Sequence, residues 1–430
     1  MANDITVRHY ENMQESGVEW IGMVPTGWKI CRGKVILKPL QRKVLESDEV
    51  ITCFRDGEVT LRKNRREDGF TNSILEIGYQ GIDPGDLVVH GMDGFAGAIG
   101  ISDSRGKASP VLNVLDSLEN KRYLMYYLRM LAYRDVFVSL ATGIRIRSCD
   151  LRWNKLANLP FLLPDRGTQE KIAKFLDNKC FEIENTIANI KSTIAEYKDW
   201  KSSIIHEAVT KGLTPNVEMK VSGIEWIGQI PAHWSIGKIK QVSEFAPKCD
   251  FSHLNHDSLI TFTPMECIRN GCFENRSAKF DTITGSYTQY AEGDIVLAKV
   301  TPCFENGNIC IMKDLFSGLG LGSSELFVLR AHSILTEYLF YYLQNPGFVQ
   351  RACASMTGTG GLKRVSSDFV KNCPIPIPPK DEQDKIASFL NKRCNAIDAL
   401  IKEKNNLIED LESYKKSLIY EVVTGKRKVV

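Results

Sequence analysis

At 430 residues the chain is longer than one compact core accommodates, so two or three domains are expected. Hydrophobic residues at 43% and charged residues at 25% exclude a wholly disordered chain. A formal net charge of +3 excludes a basic field over the whole molecule, so any nucleic-acid surface has to be a local patch.

The first residues, "MANDITVRHYENMQESG", hold no apolar segment of an export signal, and no run of about 18 apolar residues follows anywhere, which predicts a cytoplasmic protein with no membrane contact. The twelve cysteines form no CxxC pair, so reduced and mostly buried thiols are expected. The phrase "SGVEWIGMVPTGW" at 16–28 returns as "SGIEWIGQIPAHW" at 222–234, an offset of 206. Such an internal repeat dictates architecture, and two copies of roughly 200 residues are far longer than a solenoid unit, so a domain-plus-helix module is duplicated. Trp20, Trp28, Trp226 and Trp234 all lie in the repeated phrase. Aromatic rings stack on bases, but a reader of variable sequence would not keep them in its constant part, and they are assigned to packing.

The first filling, about 30–157, carries "LRKNRRED" with Arg62, Lys63, Arg65 and Arg66, a charge run that is a solvated face as often as a binding site. "GDLVVHGM" at 85–92 reads as a strand. Near the end of the filling "ATGIRIRSCD" combines Thr142 and Gly143 with Arg145 and Arg147. Glycine lets backbone approach a phosphate closely, and the arginines offer phosphate neutralisation or a bidentate guanine contact. "NLPFLLPDRGTQ" is a proline-punctuated approach to a helix with Thr168 as its expected N-cap. Along that helix Leu176, Ile183, Ile190, Tyr197 and Ile204 fall seven apart, joined by Ile187, Ile194 and Trp200, and Gly212 is the stop.

The second filling, about 236–371, shares little with the first except "GDIVLAKV", a second version of the same strand, with Lys299 following the strand-like run at its loop end. "CDFSHLNH" places Cys249, His253 and His256 near Cys267 and Cys272, but the spacings fit no zinc finger and the first filling has no counterpart, so no metal is expected. "MTGTGGLKRVSSD", with Gly358, Lys363 and Arg364, stands where the first filling has its own basic glycine stretch. "NCPIPIPPKDEQ" then opens the second helix, with Asp381 and Glu382 where a helix N-terminus favours negative charge.

This helix echoes the first at a constant offset of 214, Gln169 with Gln383, Cys180 with Cys394 and Glu207 with Glu421, without a gap. Leu390, Ile397, Lys404, Leu411 and Leu418 form its seven-residue line, Leu400, Leu407 and Tyr414 lie three on from members of it, and Ile401 and Ile408 widen it. The heptads argue for a coiled-coil contact, and some forty residues make a rod of about 60 Å. Gly425 is the second stop, and the tail "GKRKVV" either is disordered or closes against the N-terminal segment.

The two Trp phrases, "PIPIPPKDEQDKIASFL" and the helix ending "HEAVTKG" resemble the frame of the specificity subunits of type I restriction–modification systems, in the family's order, twice, over nearly the whole chain. The resemblance implies an α+β fold: two globular α/β target recognition domains joined by two long antiparallel coiled-coil helices, with an internal pseudo-two-fold repeat. It divides the chain into a first recognition domain with the leader (1–167), a central helix (168–212), a second recognition domain (213–381), a C-terminal helix (382–424) and a basic tail (425–430). Each domain is expected to read one half of a bipartite double-stranded DNA site, while the helices set the gap and dock two adenine-N6 methyltransferase subunits, and restriction subunits can join. No catalysis and no cofactor belong to this chain. S-adenosylmethionine belongs to the methyltransferase partner, and ATP and Mg to the restriction partner.

The residues agree with that division. Readers on one face of B-DNA have centres about 34–36 Å apart, or a multiple of that, which helices of this length can span. No GxGxxG or GxxxxGK[ST] loop occurs, and "NLPF" at 158–161 lacks the second proline of the adenine methyltransferase signature, so an enzyme is not expected. The rival reading is a duplicated two-domain adaptor for protein or carbohydrate, which gives no reason for paired basic loops.

Overall fold

A computed structural model of the chain describes residues 9–65, 76–139, 151–283, 286–358 and 361–429. Contacts divide the chain into two units, the first made of 1–190 with 405–430 and the second of 191–404. Helices α1 (Lys121–Tyr133), α2 (Arg166–Lys211), α3 (Thr336–Tyr342) and α4 (Lys380–Val423) follow one another along the chain. α2 passes from the first unit to the second after Ile190, and α4 passes from the second to the first after Lys404.

Each unit therefore contains part of both long helices, and inside each unit they pack together. In the second unit the Lys201 ammonium lies 2.7 Å from Asp398, and the Lys404 ammonium lies 5.7 Å from the centre of the Tyr197 ring, so the helices run in opposite directions. In the first unit Lys415 meets Glu184 at 3.2 Å. These ion pairs are the same pair written twice, since Lys201 and Lys415, like Glu184 and Asp398, differ by the sequence offset of 214. Ile183, Ile187, Ile190 and Ile194 are buried on α2, and Leu390, Cys394, Ile397 and Ile408 on α4. The buried line thus advances by alternate steps of three and four residues, as a heptad seam does.

Four side chains expected in that seam lie outside it. Trp200 is 49% exposed, Leu400 40%, Leu407 46% and Tyr414 47%. The seam turns from Ile397 to Ile401 and from Lys404 to Ile408, a step of four where the sequence also offered a step of three, and at 3.6 residues per turn the two steps point to different sides of the helix. The start of α2 is also shifted. Asp165 accepts the Thr168 N–H at 3.0 Å and its hydroxyl at 2.6 Å, so Asp165 is the cap and Thr168 is the third residue inside.

The repeated frame is built from matching hydrogen bonds. Strand Lys29–Arg32 pairs antiparallel with Pro160–Leu163, and Ser235–Lys238 pairs with Pro374–Ile377 in the same register. Buried Gln169 donates to Pro164 O (2.9 Å) and accepts the Asn120 N–H (3.0 Å) at the head of α1. Buried Gln383 donates to Pro378 O (2.8 Å) and accepts the Leu335 N–H (2.7 Å) at the head of α3. Tyr123 on α1 lies with its hydroxyl 2.7 Å from Leu162 O and 3.3 Å from Val423 O. Tyr338 on α3 does the same at 3.0 Å from Pro376 O and 3.1 Å from Val209 O.

Both units carry an antiparallel four-stranded sheet of one design. The first has β1 (Lys38–Pro39), β2 (Leu87–His90), β3 (Ile99–Ile101) and β4 (Leu112–Asp116) in the order β1-β4-β2-β3. The second has β5 (Ser243–Phe245), β6 (Ile295–Ala298), β7 (Ile309–Ile311) and β8 (Leu326–Ala331) in the order β5-β8-β6-β7. "GDLVV" and "GDIVL" are β2 and β6 with their leading turns, and both place a buried aspartate there. Asp86 accepts the Asp83 N–H and pairs with Arg42, while Asp294 accepts the Ala291 N–H and pairs with Arg330. Around these sheets the fillings differ. The second unit adds a mixed four-stranded sheet (Leu259–Thr263, Ser277–Lys279, Thr288–Ala291, Leu319–Gly322), where the described residues of the first form two short strand pairs.

Of the frame tryptophans, Trp28 and Trp234 are buried and Trp226 packs against Tyr342 and Arg351. Gly425 has φ +72°, and a Cβ there would come within 2.4 Å of Pro25, which explains glycine at this helix stop. The tail closes on the leader of the same unit. Lys426 donates to Ile21 O (3.1 Å), its own carbonyl accepts from His9, and Lys428 lies over the Tyr10 ring. Among the described residues no helix is long and apolar enough to cross a membrane.

Tyr123→Phe and Tyr338→Phe each leave buried carbonyls without a donor, so each is expected to cost about 1–3 kcal/mol. A fall in thermal unfolding midpoint of similar size for both variants would show the matched tie, and an unchanged midpoint for either would contradict it.

Candidate nucleic-acid interface

In the second unit four of the expected contact residues come together. β6 is buried along its length, and the chain leaves it at Lys299. The Lys299 N–H donates to Glu325 O (3.0 Å), and Val365 N–H donates back to Lys299 O (2.8 Å). Thr301 N–H donates to Lys363 O (2.9 Å), and the Lys363 N–H donates to the Thr301 hydroxyl (3.0 Å). Arg364 pairs through its backbone with Thr357 in both directions. The return segment 361–365 is thereby fastened on both sides. Gly358 sits at the bend with φ +143°, and a Cβ there would lie 2.3 Å from Leu362 O, so the bend needs glycine.

Lys363 and Arg364 are exposed on this fastened segment. Arg364 is held by Glu325, with Nε to Oε2 at 2.8 Å and Nη2 to Oε1 at 2.7 Å. Side-chain exposure is 48% for Arg364 and 29% for Glu325, so this pair faces solvent, whereas the Arg330 partner Asp294 is fully buried. The Lys299 ammonium lies 5.8 Å from the centre of the Phe327 ring.

In the first unit Arg62, Lys63 and Arg65 lie on or beside a short turn after strand Val59–Leu61. Each has a partner close by. Lys63 pairs with Glu49 (2.6 Å), Arg65 pairs with Asp56 (2.6 Å) and lies over the Phe54 ring (4.2 Å), and Arg62 donates to the Thr52 hydroxyl (3.3 Å). Thr142, Gly143, Arg145, Arg147 and Arg66 lie outside the described residues. Beside the turn is an open cleft of 780 Å³ lined by Phe54, Arg55, Arg62, Arg65, His90 and Asp93.

Arg55 and His90 were not among the residues expected from sequence. Arg55 pairs with Asp93 at 2.9 Å. His90 Nδ1 accepts the Met92 and Asp93 N–H groups (3.2 and 2.9 Å), which leaves the ring proton on Nε2. Burial lowers the His90 pKa. The signal for His90 was present, because "GDLVVHGM" against "GDIVLAKV" puts it at the strand end, one residue before the position of Lys299. Nothing comparable marked Arg55. Among the described residues no group of three or more His, Cys, Asp or Glu is arranged to hold a metal.

The family described as a type I restriction modification DNA specificity domain matches residues 231–410. The EcoEI type I specificity subunit of Escherichia coli is 33% identical over 187 residues, 42% of this chain and 31% of that relative, so the match spans about a third of the relative's length. The MjaVIII specificity subunit of Methanocaldococcus jannaschii is 24% identical over 430 residues, 94% of each chain. The chain is similar to type I restriction–modification specificity subunits. A solved chain from work on complex assembly and conformational transition of the type I R-M system shares the fold, with a TM-score of 0.67 at 13% identity over 94% of this chain and 99% of that one. The family match contains the whole Lys299, Glu325 and Arg364 cluster.

The Arg364 guanidinium holds the Glu325 carboxyl below its ordinary range. A group with a depressed folded pKa stabilises above its unfolded value and loses that contribution as pH falls through the folded one. Hydrogen-exchange protection of the 361–365 amides is therefore expected to be level from about pH 8 to about pH 5, and to fall only below the usual glutamate value of about 4.3. Protection that already fell near pH 6 would show that the pair does not hold the segment.

Proposed function

We propose that the chain is the DNA sequence-specificity subunit of a type I restriction–modification complex. Each unit's module reads one half of a bipartite double-stranded site, and α2 and α4 set the gap between the halves and dock two methyltransferase subunits. Restriction subunits can join the complex. The chain performs no catalysis. S-adenosylmethionine is bound by the methyltransferase partner, and ATP and Mg by the restriction partner.

The observation that carries the reading is one frame, repeated bond for bond, around two dissimilar fillings. A single target would need one reader, and two different half-sites need two on the same mounting. The loop cluster of Lys299, Lys363 and Arg364 supports DNA contact, because an exposed ammonium on a fixed backbone releases counterions from phosphates while a guanidinium beside it can meet a base edge. Docking is supported by the large apolar side chains left outside the seam, Leu407 and Tyr414 in the first unit and Trp200 and Leu400 in the second. The recognition domains are proposed at 1–167 and 213–381, with 168–212 and 382–424 as the helices between and after them and 425–430 as the tail. In the first domain Thr142, Gly143, Arg145, Arg147 and Arg66 remain proposed contacts alongside Arg62, Lys63 and Arg65, and Gly358 serves in the second.

Two measurements test this. DNA retention by the assembled chain is expected to fall linearly on a log–log plot against salt, and an adaptor would show no retention at any salt. Adding one heptad to α2 between Ile183 and Ile204, with a matching heptad in α4, lengthens each helix by about 10 Å. Methylation mapping is expected to show a longer gap with both half-site sequences kept, and an unchanged gap would remove the helices from that role.

A further inference from the structure

The same backbone circuit closes the reading edge in both units, and it carries different side chains. In the first unit the Gly91 N–H donates to Val111 O (2.7 Å) and the Leu151 N–H to Gly91 O (2.9 Å). In the second, Lys299 donates to Glu325 O and Val365 donates to Lys299 O, at 3.0 and 2.8 Å. Lys299 stands at the offset of β2 to β6 from Gly91, and Glu325 and Val365 at the 214 offset from Val111 and Leu151. The backbone is held constant while Gly91 and Val111 become Lys299 and Glu325. Positions that vary on an invariant circuit are where a duplicated reader acquires a different target.

Given the function proposed above, we infer that Arg364 reads a guanine in one half-site and that Glu325 is its positioning residue. Glu325 takes the Nε and Nη2 protons on one edge of the guanidinium. Among the described residues nothing takes the Nη1 edge or the further Nη2 proton, and this fork matches the O6 and N7 acceptors of guanine in the major groove. Adenine presents an N6 donor where guanine has O6, so the same fork rejects it. A phosphate role fits poorly, since the pair carries no net charge and releases little counterion. Among the described residues no carboxylate pairs with Lys363 on the same segment, which suits it to phosphate.

The test uses the full chain assembled with its methyltransferase subunits and a randomised double-stranded DNA pool, with bound sequences read before and after selection. Arg364→Ala is expected to lower the preference for guanine at one position of one half-site by about ten- to a hundred-fold. The other half-site and the salt slope stay as in the wild type. Arg364→Lys is expected not to restore that preference, because an ammonium lacks the fork. Glu325→Gln is expected to weaken the same guanine preference while Lys363→Ala lowers the salt slope and leaves the base profile intact. Thermal midpoints of the variants show whether the module is folded, and Arg364→Lys keeps the length and charge if Arg364→Ala is not. Uniform loss over all sequences in Arg364→Ala, or an unchanged base profile in either Arg364 variant or in Glu325→Gln, overturns the assignment and leaves the proposed function standing. Failure of the wild-type assembly to select any sequence overturns both.

Discussion

Two buried tyrosine hydroxyls join each module to the far end of a long helix. Tyr123 sits between the carbonyls of Leu162 and Val423, and Tyr338 between those of Pro376 and Val209. Val423 and Val209 belong to the last turns of α4 and α2, so the first module is closed by the helix that ends the chain and the second by the helix that precedes it. A helix leaves its last carbonyls without internal partners, and a buried hydroxyl donor answers that need where water is excluded. The glycine stops follow from the same geometry. Past Val423 the chain turns at Gly425 against Pro25, and past Lys211 it turns at Gly212, φ +75°, beside Trp234. The Trp phrase and the helix ending, which seem unrelated in sequence, are thus two sides of one joint.

Much of this was legible because repetition reports what the backbone requires. Gln169 and Gln383 align without a gap, and each bridges the proline approach to the head of a neighbouring helix. That Lys363 and Arg364 lie beside Lys299 was not legible, because backbone bonds between residues far apart in sequence bring them together. What escaped was whatever a partner elsewhere in the chain decides. The periodicity allowed Leu400, Leu407 and Tyr414 in the seam, and only the facing helix selects Ile401 and Ile408 instead. Thr168 and Asp165 are both good caps, and the first turn of α2 decides between them. Lys63 and Arg65 read as part of a solvated charge run, yet Glu49, just before strand Ile51–Cys53, and Asp56, in the turn after it, pair with them.

The arginine pairs divide by the burial of their carboxylate. Asp294 and Asp86 are buried, as is Asp48, which pairs with Arg105 at 2.7 Å, and their arginines complete the neutralisation of charges that would otherwise be costly; removing one partner of such a pair typically costs about 3–5 kcal/mol. Exposed pairs are worth about 0–1 kcal/mol, because water screens them. Arg364 with Glu325 lies on the exposed side of this division, so stability gives little reason for it. A bidentate pair that contributes little to folding while fixing a guanidinium plane serves orientation.

That division explains how one mounting tolerates two readers. The frame is closed by backbone N–H and C=O groups, by two glutamine amides and by two tyrosine hydroxyls, none of which depends on the side chains at 91, 111, 299 or 325. Substitution at those positions leaves the circuit of hydrogen bonds intact, as Gly91 and Lys299 demonstrate by making the same bonds. Cores do not permit this freedom, since a buried volume change is felt by every neighbour. Strand β6 is buried throughout, and it ends one residue before Lys299. The variable chemistry begins where the packing constraint stops, which is the condition for recognition to change without refolding the module.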